Sequence, residues 1–135
     1  MSFPEAAPDC TPGPDCLLGP GDPPPVTRRA FGARYPAVLA CDHASRAVPV
    51  ALGNLGLGEP QLARHIAWDL GAGALAEALA RDLGLPVLSA GFSRLVIDCN
   101  RRLDDPTSIV EVSDGDRIPG NLGLDPAQRA RRARE

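Results

Sequence analysis

The stretch FSRLVIDCNR, residues Phe92 to Arg101, decides which fold class we expect for this chain. Its centre, LVI, is an apolar and partly β-branched run, typical of a strand that is buried on both faces of a sheet. Asp98, Asn100 and Arg101 follow this run without a break. Open α/β sheets bind ligands at the carboxyl ends of their strands, where the departing loops form a crevice. The stretch therefore predicts a site that holds a carboxylate; the alternative is a structural ion pair between Asp98 and Arg101.

A second predicted strand ends in the same way. The run AVLAC, residues Ala37 to Cys41, is followed directly by Asp42 and His43. Because the carboxyl ends of parallel strands meet at one edge of a sheet, both sets of polar side chains are expected at that edge. The repetition favours a functional site over polar surface residues without a function.

A long helix is predicted from Pro60 to about Leu83, since proline suits a first helical position and Gly84 suits a left-handed cap. Its apolar residues fall on one broad arc at helical spacing: Leu62, Ile66, Trp68, Leu75, Leu79 and Leu83. Asp69 lies near the middle of that arc, with His65 one turn earlier. A buried carboxylate needs a partner, so we expect Asp69 to pair with His65 or an arginine, or to ligate a metal ion.

The order of the predicted elements indicates an α/β fold with a mostly parallel sheet and flanking helices. Strands predicted at Pro86 to Gly91 and Arg94 to Cys99 follow the long helix, as in a right-handed crossover. The segment from Asn100 to Leu124 reads as a long irregular loop, which is usually functional or disordered. A helix then begins at Asp125, and the predicted fold is incomplete at its C-terminus.

The first residues differ in composition from the rest of the chain. Eight of the 15 prolines lie in the first 25 residues. We therefore expect a disordered, proline-rich leader over residues 1–30 and a single domain over residues 31–135.

Charge and hydropathy exclude several classes of partner. The 14 basic and 17 acidic residues give a net charge of -3, which indicates neither a nucleic acid nor an anionic membrane as a partner. The amino terminus lacks the pattern of a signal peptide, and no apolar run is long enough to span a membrane, so a cytoplasmic protein is expected.

The four cysteines lack the paired short spacings of a zinc site. Cys10 and Cys16 lie in the leader. Cys41 and Cys99 each end a predicted buried strand and are expected to be buried free thiols, without a catalytic role.

Four motifs together resemble the N-formylglutamate amidohydrolases in order and spacing. They are CDHASRAVP at residues 41–49, RHIAWDLGA at 64–72, FSRLVIDCNRRLDDPTSI at 92–109 and EVSDGDRIPGNLGL at 111–124. This family is similar to the zinc carboxypeptidases and aspartoacylases, so the resemblance implies a phosphorylase/hydrolase-like α/β fold with a metal site beside the substrate carboxylate.

The resemblance also implies roles for individual residues. Asn100 and Arg101 match a pair that grips the substrate carboxylate, with Arg94 beside them, and arginine's planar fork suits that task. His43 matches the first zinc ligand. Asp69 is the candidate for the second, because Arg46 stands where a His-x-x-Glu pattern has its glutamate, and Asp42 is a candidate to orient the histidine.

The implied reaction is metal-assisted hydrolysis of the amide bond of an N-formyl or N-acyl amino acid. Related enzymes continue beyond this length, and a further ligand histidine and the general-base glutamate are expected there; Glu111 is a possible base by residue type alone. We therefore expect this chain alone to be inactive or nearly so. The alternative is a non-catalytic module that binds the amino-acid carboxylate, or one half of a split enzyme. An unfinished sheet would favour self-association or pairing with a missing C-terminal half.

Overall fold

The computed structural model describes residues 16–32 and 35–134. Its main sheet has three strands, β1 (Val26–Ala30), β2 (Leu39–Cys41) and β3 (Pro86–Ala90), in the order β1-β3-β2. Strand β2 runs parallel to β3, whereas β1 runs antiparallel to it. The α/β class is confirmed, but the sheet is mixed rather than mostly parallel.

Strand β1 lies inside the leader for which disorder is predicted. Its five residues pair along the whole of β3, from Val26 opposite Ala90 to Ala30 opposite Pro86. The prediction is therefore wrong for these five residues, because their backbone groups find a long-range partner that local composition does not reveal. Residues 1–15 of the predicted leader lie outside the described residues.

The predicted long helix is two helices, α1 (Glu59–Leu62) and α2 (Ala72–Leu83). Between them, backbone groups that a continuous helix would pair internally are used elsewhere. The N–H of Asp69 donates to the carbonyl of His43 over 3.0 Å. The carbonyl of Ala67 accepts from Ser93 Oγ over 2.7 Å. Tertiary hydrogen bonds thus interrupt the helix, and α2 ends at Gly84 as expected.

The apolar arc predicted for one helix is split with it. Leu62 and Ile66 are buried in the core, but Leu75, Leu79 and Leu83 on α2 are exposed. The main core instead consists of buried residues from several short stretches between residues 55 and 118: Leu55, Leu57, Leu62, Ile66, Ala67, Leu95, Val96 and Ile118.

Residues Arg94 to Cys99 do not form the predicted third strand. They run as turns, although Leu95 and Val96 are buried as the apolar pattern indicates. Burial was correctly indicated by the sequence, but a buried apolar run does not by itself distinguish a strand from other backbone conformations.

The long segment predicted to be irregular contains a small hairpin. Strands β4 (Val112–Ser113) and β5 (Asp116–Arg117) pair through an Asp114-Gly115 turn, in which both residues have positive φ. Asp-Gly is a strong hairpin signal that the prediction missed. The final helix, α3 (Pro126–Ala133), begins with the expected capping box. Along the described residues, every helix falls short of the apolar length needed to cross a bilayer.

Candidate functional site

His43 leaves the end of β2 and is almost completely buried, with 6% of its surface exposed. Its ring lies between two carboxylates. Nε2 is 2.7 Å from Asp98 Oδ1, and Nδ1 is 3.3 Å from Asp69 Oδ2. Each ring nitrogen of this buried imidazole therefore faces a carboxylate oxygen.

The contact of His43 with Asp98 is shorter than its contact with Asp69, and Asp98 is the more buried of the two carboxylates. Burial by itself would raise the pKa of Asp98, but the hydrogen bond from His43, the N–H of Asn100 and the charge of Arg94 together lower it. The carboxyl group is therefore ionised at neutral pH and accepts the proton of Nε2. This fixes the tautomer of a neutral His43 ring, with its lone pair on Nδ1.

Asp69 stands at the other edge of the ring and is half exposed, with 52% of its side chain accessible. It does not lie on a buried helical stripe as predicted, because the helix is interrupted there. Arg94 contacts both carboxylates: Nη1 is 3.3 Å from Asp69 Oδ1 and Nη2 is 3.1 Å from Asp98 Oδ2. Of the partners predicted for Asp69, an arginine is therefore present, and His65 is not.

The Nδ1 edge of His43 can accommodate a cation. In the neutral ring the Nδ1 lone pair faces Asp69 Oδ2, and two acceptors 3.3 Å apart need a proton or a metal ion between them. Two tetrahedral zinc ligands stand about 3.4 Å apart, so the spacing fits His43 and Asp69 as two ligands of one zinc ion. Within residues 16–32 and 35–134, no group of three histidine, cysteine, aspartate or glutamate side chains is arranged to hold a metal.

A cleft of about 440 Å³ opens beside this cluster. Its walls carry the basic side chains Arg94, Arg101 and His65 together with Asp98, above an apolar floor that includes Ile66 and Leu95. Because Asp98 already bonds His43 and Arg94, the charge left for a ligand is positive. The arrangement suits a small molecule that carries a carboxylate.

Arg101 lines the cleft, and Asn100 precedes it in the chain. The N–H of Asn100 donates to Asp98 Oδ1 over 3.0 Å, and its side chain is exposed. The guanidinium of Arg101 is half exposed, and its Nε lies 4.0 Å from Asp98 Oδ2. An ion pair between Asp98 and Arg101 is thus much looser than the pair with Arg94, which leaves the fork of Arg101 able to take another carboxylate.

Several other predicted contacts differ in the structure. His65 approaches Asp114 at 3.5 Å on the hairpin turn. Asp42 is exposed, and Asp98 rather than Asp42 holds the His43 ring. The sequence places Asp98 at the end of an apolar run, but the 55-residue separation hides its contact with His43.

Cys41 and Cys99, at the ends of the two predicted strands, are less buried than expected. Cys41 is half buried and Cys99 is exposed, and both are free thiols. Burial is the largest cause that raises the pKa of both thiols, which disfavours the nucleophilic thiolate.

Comparison with known proteins identifies a family and a similar solved structure. Residues 35–135 match the profile of a family described as N-formylglutamate amidohydrolase. The crystal structure of gene product Atu2144 from Agrobacterium tumefaciens is similar, with a TM-score of 0.80 and 36% sequence identity over 87% of this chain and 47% of that chain. No protein of curated function matches. The chain thus spans about half the length of the solved protein.

Proposed function

Because the chain belongs to the N-formylglutamate amidohydrolase family through residues 35–135, we propose that it provides the substrate-holding part of a hydrolase that cleaves the amide bond of an N-formyl or N-acyl amino acid. One observation carries the proposal: buried His43 is hydrogen-bonded to Asp98, and Asp98 lines a cleft whose unpaired charge is positive. The cleft would hold the amino-acid carboxylate while the acyl group lies towards His43.

Arg101 is the side chain that would grip the carboxylate. Its guanidinium is half exposed and forms only the long contact to Asp98 among the described ion pairs. Two parallel N–H donors on a carboxylate form a strong and directional pair, and the side-chain amide of Asn100 would add a third donor. Arg94 would contribute positive charge to the same cleft while it holds Asp69 and Asp98 in place.

Zinc is the proposed cofactor, and the donor set fits it in part. His43 Nδ1 and Asp69 would supply two ligands, with Asp98 holding the opposite ring nitrogen, as acidic residues commonly do for zinc-bound histidines. A bound zinc would act as a Lewis acid on the amide carbonyl. A catalytic zinc site usually has three protein ligands, so a third would have to join these two.

We expect this chain alone to hydrolyse its substrate very slowly. Glu111, the possible base by residue type, accepts a hydrogen bond from the N–H of Gly123 and is not among the residues lining the cleft. Removing members of a cooperating catalytic set leaves little beyond binding. The alternative function, a non-catalytic module for amino-acid carboxylates or half of a split enzyme, uses the same cleft.

Calorimetric titration with N-formylglutamate tests the proposal. We expect Arg101→Gln to weaken binding at least tenfold, or by about 1.4 kcal/mol. Arg102→Gln is the matched control, because Arg102 is exposed and pairs with Asp104 instead. Equal binding by both variants and the unmodified chain would contradict the role of Arg101. Turnover near one per second, an ordinary enzyme rate, would contradict the expected low activity.

Zinc content separates the enzyme from the binding module. Equilibrium dialysis against zinc, run on the chain and on His43→Ala and His65→Ala variants, is expected to show weak binding that only the His43 variant loses. Retention of zinc by His43→Ala would exclude His43 as a ligand. No zinc binding by any of the three would favour the carboxylate-binding module.

A further inference from the structure

Arg132 on α3 is a buried cation for which the described residues provide no acidic partner. Only 4% of its surface is exposed, and no carboxylate within residues 16–32 and 35–134 lies at salt-bridge distance from it. Burial is the main cause that lowers its pKa, to about 10. Burying a charge in this way is costly unless hydrogen bonds compensate for it. Its position therefore calls for an explanation.

The guanidinium bonds two backbone carbonyls, on separate stretches of the chain, and one side-chain amide. Nη1 donates to the carbonyl of Val96 over 3.0 Å and to Asn121 Oδ1 over 2.6 Å. Nη2 donates to the carbonyl of Gly120 over 2.7 Å. The bond to Val96 ties α3 to the segment from Phe92 to Arg101, which carries Arg94 and Asp98 and is called the site segment below.

Asn121 extends the connection. It is fully buried, and its Nδ2 donates to the carbonyls of Leu95 and Val110 over 2.9 and 2.7 Å. The Arg132 donor requires the amide oxygen on one side and the two carbonyls require the nitrogen on the other, so the orientation of the amide is unambiguous. The side chain of Asn121 therefore joins Leu95 on the site segment to Val110, and both of these residues line the cleft.

The bonded carbonyls lie between the two site residues on that segment. Leu95 and Val96 are two of the three residues between Arg94 and Asp98, and no strand ladder holds them because residues 94–99 are not in a sheet. The donors of Arg132 and Asn121 take the place that a neighbouring strand would have in an ordinary sheet. At the far end, the N–H of Asp98 donates to the carbonyl of Ser108 over 2.7 Å.

We propose that Arg132 and Asn121 are positioning residues that hold Asp98 against His43 Nε2 from behind the cleft. The proposal rests on the proposed function, since it assigns these two residues to the site of that function. Neither residue is among those lining the cleft. Their effect on a substrate is exerted through Asp98 and the His43 ring.

The contact between His43 and Asp98 can be observed without substrate, metal or activity. The chain has two histidines, so the nitrogen-bound ring proton of His43 can be assigned by NMR with a His43→Ala variant. Its exchange with water reports how often the hydrogen bond to Asp98 opens. We expect Arg132→Met to accelerate this exchange at least tenfold.

Arg131→Met is the matched control. It makes the same chemical change one residue away on α3, where the Arg131 guanidinium bonds the carbonyl of Cys16. It is expected to change the exchange rate less than twofold. Unchanged exchange in a folded Arg132→Met chain would overturn the proposal, as would equal acceleration by both variants.

Asn121→Asp serves as the second variant in case Arg132→Met does not fold. The new carboxylate would pair with Arg132 but could not donate to the carbonyls of Leu95 and Val110. We expect it to keep the fold and accelerate exchange of the His43 ring proton at least tenfold, and unchanged exchange here would also overturn the proposal. Failure of N-formylglutamate to bind would contradict the proposed function. It would not affect the conclusion from the exchange rates about how Asp98 is held against His43.

Discussion

The three-stranded sheet and the segment from Phe92 to Arg101 are held in different ways. In the sheet, β1 and β2 pair with β3 through backbone hydrogen bonds, which do not require particular side chains. The site segment has no ladder, and its backbone bonds specific side chains, among them Ser93, Asn121 and Arg132. Stability in the sheet therefore depends mainly on backbone pairing, whereas geometry at the site depends on individual side chains.

The largest effect is expected where the sheet joins the site segment, at Gly91. A Cβ added there would lie 1.9 Å from the carbonyl oxygen of Pro24, and the N–H of Gly91 bonds Pro25. Backbone cannot move aside cheaply, so Gly91→Ala should lower the free energy of unfolding by about 3 kcal/mol or more. Gly21→Ala is the control, since a Cβ there meets nothing within 4 Å. Urea unfolding measures both, and a similar stability for the two would contradict the close packing.

Ser93 and Thr27 compare the two regions directly. Ser93 Oγ is completely buried, donates to the carbonyl of Ala67 and accepts from the N–H of Leu95. Ser93→Ala leaves both groups without this partner and should cost about 2 kcal/mol. Thr27 also donates to a carbonyl, that of Ser89, but is exposed, so Thr27→Ala should cost about 0.5 kcal/mol or less. Equal losses on urea unfolding would remove the distinction between the regions.

Acid should weaken the site before the sheet, because the pKa of Asp98 is lowered in the folded chain from its ordinary value of 3.8. A lowered folded pKa contributes stability above the unfolded value, and this contribution is lost as the pH falls through the folded value. Below pH 3.8, the unmodified chain should therefore lose stability more steeply than Asp98→Asn. Urea midpoints between pH 6 and pH 2 measure this, and parallel curves would show that Asp98 carries no such linkage.

The smallest effect on folding is expected on the sheet face opposite α2. Leu88 is exposed there, on the same face as Val26, Val38 and Ala40. Leu88→Lys should change the unfolding free energy by about 0.5 kcal/mol or less and reduce the self-association that we expect of this face. Light scattering against concentration measures association. Leu103→Lys, at another exposed leucine, is the control, and equal effects would locate association elsewhere.

The sequence predicts the parts of this fold that depend on local signals. The cap at Gly84 and the capping box at Asp125 are both present, since each depends on neighbouring residues. The predicted long helix and third strand are absent, because distant bonds such as that of Ala67 with Ser93 override local propensity.

The candidate site was predictable as a set of residues but not as a set of contacts. His43 and Asp98 both stand out because they follow apolar runs, and the structure brings them within 2.7 Å. The sequence does not indicate Asn121 and Arg132 as site residues, since a polar residue in a turn and an arginine in a basic helix are typical of solvated positions. Their burial emerges only when α3 packs on the segment between Arg94 and Asp98.

Trp68 lies next to Asp69 in the interrupted part of the predicted helix, with its ring packed against the core. It is the single tryptophan of the chain, so indole fluorescence has one source. Indole emission depends on the polarity and charge around the ring. The chain therefore carries a built-in optical probe one residue from the candidate metal ligand, and binding of a cation or an acyl amino acid can be followed without a dye or a label.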